Sequence, residues 1–249
     1  MTIGCIIQAR MSSTRLPGKV MMTLDKKNPV LYYVISQLRH SKLLNKIVIA
    51  TTNLYEDDKI VEFAQNAGID YFRGSDNDVL DRYYQCAKKF SFSTIVRITS
   101  DNPLIDPEIV DKTIEKFHSN SYDYVTNTLP RTFPYGTETE VFTFEALQIA
   151  WNRAKKPSER EHVTPYFYNN PDKFKIANLS YSKNVSFLRW TVDKQTDLEL
   201  VRTIISKIKK TPILMVDIIN LLTKEPQLID INRDHVLDEG HLKSLKTNE

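Results

Sequence analysis

The stretch Gln8-Ala9-Arg10-Met11-Ser12-Ser13-Thr14-Arg15-Leu16-Pro17-Gly18-Lys19-Val20 gathers cations, hydroxyls and a glycine in one short span. A polyphosphate calls for that mixture: positive charge, hydrogen-bond donors, and main chain bare enough to be approached closely. Arg10, Arg15 and Lys19 supply the charge, Ser12 and Ser13 supply hydroxyls, and Ala9 and Gly18 leave the backbone open. The pattern is not a Walker A loop, because a serine stands at the place of its first glycine and Val20 at the place of its hydroxyl; nor is it the dinucleotide G-x-G-x-x-G. The types and spacing indicate phosphate binding by a different loop.

Other segments carry polar chemistry. Asp101, in Thr99-Ser100-Asp101-Asn102-Pro103, can close a turn before the proline. Asp193 can cap a helix starting near Thr196, a task for which Thr196 or Asp197 is better placed. Asp106, directly before Pro107, reads as a helix cap, and Asp197 as structural. Asp76-Asn77-Asp78 is formally a D-x-D, the metal motif of many glycosyltransferases. Thr51, in Ala50-Thr51-Thr52, offers a short hydroxyl and main chain that could read a base edge.

These residues need a scaffold, and the pattern supplies one. Strands are predicted at Ile3 to Gln8, Lys46 to Thr51 and Ser93 to Ile98. Helices are predicted from an Asn28-Pro29 start to Arg39, from Asp57 to Gln65, from Val79 to Phe90, and from Asp106-Pro107 to Phe117. Strands alternating with helices of this length imply an α/β fold, a mostly parallel sheet wrapped on both faces. In such sheets ligands bind beyond the carboxyl ends of the strands, where the Arg10–Lys19 loop and Thr51 fall. From about Phe133 the rhythm changes. Strands at Glu140 to Phe144 and Lys175 to Ser180 flank helices near Glu145–Ala154 and Ser158–Tyr168, with a Ser158–Glu161 capping box. This section, about 131–186, reads as a small substrate and dimerisation lobe, and the chain is expected to re-enter the main sheet at Phe187 to Val192. Helices near Thr196–Lys207 and Val216–Leu222 follow. No Gly- or Ser-rich linker divides the chain, so residues 1–249 read as one domain.

Bulk properties narrow the function. The net charge of +3, from 34 basic and 31 acidic residues, is too mild to point to nucleic acid. The Lys207–Lys210 cluster suits the negative end of a helix. No apolar run is long enough to span a bilayer, and the Met1–Ile7 start lacks a basic leader, so a cytoplasmic location is expected. Two cysteines, Cys5 and Cys86, exclude a C-x-x-C metal site.

The loop Ala9-Arg10-Met11-Ser12-Ser13-Thr14-Arg15-Leu16-Pro17-Gly18-Lys19 resembles the signature of the CMP-sugar synthetases, which include the enzymes activating 3-deoxy-manno-octulosonate and acylneuraminate. The likeness is strongest to the spore-coat polysaccharide biosynthesis protein F group and extends over nearly the whole chain. The resemblance implies a Rossmann-like sheet of the nucleotide-diphospho-sugar transferase type and a cytidylyltransferase that moves CMP from CTP to a sugar-like acceptor. It implies that Arg10 and Lys19 grip the triphosphate, while Arg15 grips it or packs the loop. Thr99–Asp106 is similar to the family's G-D-x-P-L-I segment, and Val192-Asp193 to Asp197-Leu198 to its V-D-T-x-x-D-L segment. Asp101 and Asp193 are thereby implied as ligands of a magnesium cofactor, which favours octahedral oxygen coordination. The stretch Arg73 to Arg82 is implied beside the nucleotide, through Arg73, Ser75 and Arg82. Phe133–Phe142 and Ser158–Tyr166 resemble the spore-coat group's acceptor-side motifs, which implies Glu138, Glu140, Arg160 and His162 as acceptor contacts. Gly136-Thr137-Glu138 stands where many members have Gly-Leu-Asp, a change that bears on the acceptor and not on CTP. A homodimer is implied as well. The alternatives are a metal-dependent glycosyltransferase using Asp76-Asn77-Asp78, and a non-catalytic binding module.

Overall fold

The computed structural model describes residues 2–235. Among these residues seven strands form one sheet in the order β3-β2-β1-β4-β6-β5-β7. They are β1 (Ile3–Gln8), β2 (Lys46–Thr52), β3 (Asp70–Gly74), β4 (Thr94–Thr99), β5 (Tyr124–Thr126), β6 (Glu140–Thr143) and β7 (Ile176–Asn178). β1, β2, β3 and β4 run parallel, whereas β6 runs antiparallel to both its neighbours, β4 and β5. β1 is apolar on both faces through Ile7 because helices cover both, and Cys5, Ile6 and Ile7 are fully buried.

Strand alternation sorts the core into two layers. Ile6, Val48 and Ile95 face α3 (Val79–Lys89) and α5 (Phe144–Arg153). Cys5, Ile7, Ile49 and Val96 face α1 (Val30–Leu38), α2 (Asp58–Asn66) and α4 (Pro107–His118). A third cluster, around the fully buried Trp190, unites Leu104 and Val192 with α8 (Gln195–Lys207) and α9 (Met215–Lys224). Among the described residues no helix is long and apolar enough to cross a membrane.

Several local expectations change. α1 starts at Val30, with Pro29 in the cap position at an extended ψ of 170°. Asn28 does not cap it, because its amide donates to Asp25 Oδ2 at 2.9 Å. The helix expected over Ser158–Tyr168 is two short ones, α6 (Pro157–His162) and α7 (Pro165–Tyr168). The break falls at Val163, whose φ is +70°, and Pro165 has no N–H with which to continue the first helix. The reciprocal acid at the start of α6 is Glu159 and not Glu161, since Glu159 Oε2 accepts the Lys156 N–H at 3.4 Å. Phe187 to Val192 is not a sheet strand. It crosses the loops beyond the strand ends, pairing with Tyr135 (Trp190 N–H to Tyr135 O, 2.8 Å) and with Asp101 (Val192 N–H to Asp101 O, 2.8 Å). From the later part of the chain, β6 joins the sheet beside β4 and β7 joins it at the edge beside β5. β5 and β6 form a hairpin whose long loop is closed at its base by Asn127, which donates to Thr137 O at 2.8 Å and accepts the Thr139 N–H at 2.9 Å.

Candidate active site

The phosphate-type loop leaves β1 through Ala9, whose N–H bonds Ala50 O at 3.1 Å. Its turn is organised by Met11, whose carbonyl accepts the N–H groups of Ser13 and Gly18, both at 2.9 Å. Gly18 sits at φ +71°, a conformation that costs a side-chain-bearing residue free energy. A 3₁₀ turn over Lys19–Met21 then drives the Lys19 side chain inward.

The Lys19 ammonium donates to Asp101 Oδ2 at 2.7 Å, Asp193 Oδ1 at 2.8 Å and Val192 O at 2.8 Å. An ammonium has three N–H bonds, and each is used. The two carboxylate oxygens are therefore no further apart than those two hydrogen bonds laid end to end. Burial opposes the charge on Lys19, yet Asp101 and Asp193 outweigh it and push its pKa up. At Asp193 burial alone would raise the pKa, but Lys19, Arg15 and Arg189 together hold it well below the usual carboxylate range. Arg15 donates to Asp193 Oδ1, and Arg189 Nη2 donates to Asp193 Oδ2 at 2.8 Å. Arg189 is in turn gripped by the fully buried Asp197, from Nε to Oδ1 at 3.0 Å and from Nη2 to Oδ2 at 3.1 Å. Asp197 also accepts the Asp193 N–H at 3.0 Å, so the carboxylate opposite Lys19 is held from side chain and backbone together.

These groups form one wall of a cleft of about 370 Å³ at the carboxyl ends of β1 and β4. Seven arginines and lysines and four acids line it, an excess of positive charge suited to a polyanion. Several of its polar atoms, Gln8 Oε1, Arg82 Nε, Arg97 Nε and Asn102 Oδ1, are buried with no partner among the described residues. Each such atom costs about 1–3 kcal/mol, which a ligand's polar groups can recover. Asp101 and Asp193 bring two carboxylates together of the kind a hard divalent ion could use, and here the Lys19 ammonium bridges them. Among the described residues no group of three or more His, Cys, Asp or Glu could hold a metal.

The structure sorts the residues singled out by sequence. Ala9, Arg10, Ser13, Arg15 and Lys19 line the cleft from the loop, and Asp101, Asp193 and Arg82 line it beside them. Glu138 and His162 line it from the later part of the chain. The remainder are placed elsewhere. Ser12 is exposed, and Gly18 shapes the turn without lining the cleft. Thr51 is fully buried in β2. Arg73, expected beside the nucleotide, donates to Asp58 Oδ1 at 2.6 Å and to the carbonyls of Thr52 and Leu54, bracing the turn after β2. Ser75 accepts the Asp78 N–H at 3.1 Å. Glu140, expected on the acceptor, is consumed by Arg97, its register partner across β4 and β6, and by Tyr124 at 2.6 Å. Arg160, also expected there, binds Asp78 Oδ2 and the Trp151 carbonyl, at 2.7 Å for the latter. Asp78 caps α3 by accepting the Asp81 N–H at 2.9 Å, which removes it from a D-x-D metal site.

Three cleft arginines were missed. Arg97 interrupts an apolar strand, which is itself a signal of a special site. Arg131 stacks 3.7 Å above the Tyr135 ring and donates to Glu138 Oε1 at 2.6 Å. Arg189 lies just before a motif already noted, four residues before Asp193.

A family model described as cytidylyltransferase matches residues 4–225. The chain belongs to the cytidylyltransferase family. This cytidylyltransferase is 41% identical over 235 residues to the uncharacterized protein MJ1063 of Methanocaldococcus jannaschii, covering 93% of the present chain and 95% of the relative. It is 33% identical over 231 residues to the spore coat polysaccharide biosynthesis protein SpsF of Bacillus subtilis, covering 89% and 94%. Its structure matches that of a cytidylyltransferase from Leptospira borgpetersenii with a TM-score of 0.88 at 35% identity, covering 95% and 99%. The fold is that of the nucleotide-diphospho-sugar transferases, and the chain is a CTP-dependent nucleotidyltransferase.

Proposed function

We propose that this cytidylyltransferase transfers CMP from CTP to a sugar acid or related polyol, releasing pyrophosphate, in the biosynthesis of a surface polysaccharide or glycoconjugate. The observation that carries the reading is the meeting of Asp101 and Asp193, from distant parts of the chain, on Lys19 of a cationic loop. An acceptor hydroxyl attacks the α-phosphorus; the new O–P bond forms as the α–β bridging bond breaks, and the hydroxyl proton is released. Arg10, Arg15 and Lys19 bind the triphosphate and offset the charge that gathers on the departing pyrophosphate. Glu138 and Arg131 orient the acceptor, and the cleft walls exclude water. Asp101 and Asp193 would hold magnesium, which supplies further charge neutralisation on the phosphates. No covalent intermediate on the protein is required, because positioning and electrostatics can carry phosphoryl-type transfer. The enzyme is read as a cytoplasmic homodimer, as its resemblance to the CMP-sugar synthetases implies.

The test is a pyrophosphate-release screen of the four nucleoside triphosphates, each with magnesium, against sugar acids and polyol phosphates. Release with CTP and one acceptor class is expected. Transfer from a nucleotide sugar with no pyrophosphate from any triphosphate would favour a glycosyltransferase and refute the reading.

A further inference from the structure

Asp57 ends a 3₁₀ turn, Tyr55–Asp57, that follows β2, and it is completely buried. It occupies the cap position of α2, yet its carboxylate makes no side-chain bond to that helix. Instead Oδ1 accepts the Met11 N–H at 2.7 Å, and Oδ2 accepts the Thr52 N–H at 3.3 Å and the Thr52 hydroxyl. The Thr52 oxygen itself accepts the Leu54 N–H at 3.1 Å, which fixes the turn. Among the described residues no cation pairs with Asp57 within 4.0 Å. A carboxylate buried without an ion-pair partner is expensive unless N–H and O–H donors compensate it, and one of its three donors belongs to the phosphate loop.

That donor matters because of what Met11 does. The Met11 carbonyl gathers the N–H groups of Ser13 and Gly18, each at 2.9 Å, and Gly18 leads directly into Lys19. A single carboxylate oxygen thus fixes the peptide joining Arg10 to Met11, with Arg10 on one side and the Gly18–Lys19 turn on the other. Arg10 has little else to orient it, since its contact with Glu161 spans 3.7 Å between half-exposed side chains. We propose that Asp57 is a positioning residue that sets the loop, and above all Arg10, for the triphosphate. The proposal rests on the reading of that loop as the CTP site. Asp57 itself does not line the cleft and touches no substrate.

The decisive experiment is a double-variant cycle read by CTP titration calorimetry with magnesium, alongside thermal melting. Asp57→Ala should weaken CTP binding at least about tenfold, since small misplacements of binding groups are costly. Asp57→Asn should recover most of that loss, because its amide oxygen can still accept the Met11 N–H. In an Arg10→Ala background the effect of Asp57→Ala on CTP affinity should shrink to less than half, while its shift in melting temperature stays the same. A residue that merely stabilised the fold would weaken CTP binding equally in both backgrounds, and that result would overturn the proposal, as would unchanged affinity in Asp57→Ala. If Asp57→Ala does not fold, the same cycle run with Asp57→Ser decides, because the serine hydroxyl ends too short to accept the Met11 N–H. Failure of the wild-type protein to bind CTP would instead remove the functional reading beneath the proposal.

Discussion

Replacing Lys19 with methionine keeps the bulk and removes the ammonium that joins Asp101, Asp193 and Val192. Breaking a buried ion pair by deleting one partner costs about 3–5 kcal/mol. The low end applies, because Asp193 keeps Arg15 and Arg189 and because the Asp101 side chain retains 24% exposure. About 3 kcal/mol corresponds to a fall in Tm of about 6–12 °C for a chain of this size. The orphaned anion is Asp101, so adding Asp101→Asn should restore part of the loss, making the double variant more stable than Lys19→Met alone. The pH dependence follows from the two shifts. The pKa of Lys19 is raised from 10.5, so its contribution is complete below that value and lost only as pH climbs through the raised one. That of Asp193 is lowered from 3.8, so its contribution is complete above that value and lost as pH falls through the lowered one. The advantage of wild type over Lys19→Met should therefore be flat between those two values and shrink on the acid side. Urea denaturation across pH, with differential scanning fluorimetry, measures it. A Tm within 2 °C of wild type, or a double variant less stable than Lys19→Met, would refute the reasoning.

Chelating divalent ions should abolish pyrophosphate release, and magnesium should restore it; full activity in excess EDTA would remove the role given to Asp101 and Asp193. Glu140→Ala leaves Arg97 as a buried unpaired cation and should cost about 3–5 kcal/mol, whereas unchanged stability with a raised acceptor KM would return Glu140 to the acceptor site. Gly136→Ala should cost about 1–3 kcal/mol, because the residue sits at φ +107° with a Cβ position 2.6 Å from Trp190 Cδ1. An unchanged urea midpoint would show that this turn yields freely. Burial pushes the Cys86 thiol up to about 12 and Cys5 higher still. Ellman's reagent at pH 8 should label neither cysteine until the protein is denatured, and rapid labelling of native protein would contradict that burial.

Local signals carried the sequence reading furthest where one short segment decides the outcome. β1 is an unbroken apolar run, and Asp106-Pro107 opens α4 as expected, with Asp106 Oδ1 accepting the Glu108 N–H at 2.8 Å. The Arg10–Lys19 loop was legible as a cationic turn at the end of β1 for the same reason, because its cations, hydroxyls and glycine lie in one span. What the sequence does not show depends on partners far away in the chain. Arg73 and Arg160 have the right chemistry for ligands, yet Asp58 and Asp78 claim them. Glu140 lies among motif residues, but the register of β4 against β6 puts it opposite Arg97. β5 has only three residues, too few to show a period. Phe187 to Val192 has a strand's composition, but its backbone finds Tyr135 and Asp101 and not a sheet neighbour.

The β5–β6 hairpin has a practical consequence. Its stem is stitched between β4 and β7, and Asn127 locks the two ends of the loop together. Arg131, Tyr135 and Glu138 hang from that closed ring, while the loop proposed to grip the nucleotide leaves β1 and runs to the Lys19 turn. The span from Asn127 to Thr139 is thus an exchangeable cassette: trading it between relatives should retune which molecule is activated and leave the handling of CTP as it was.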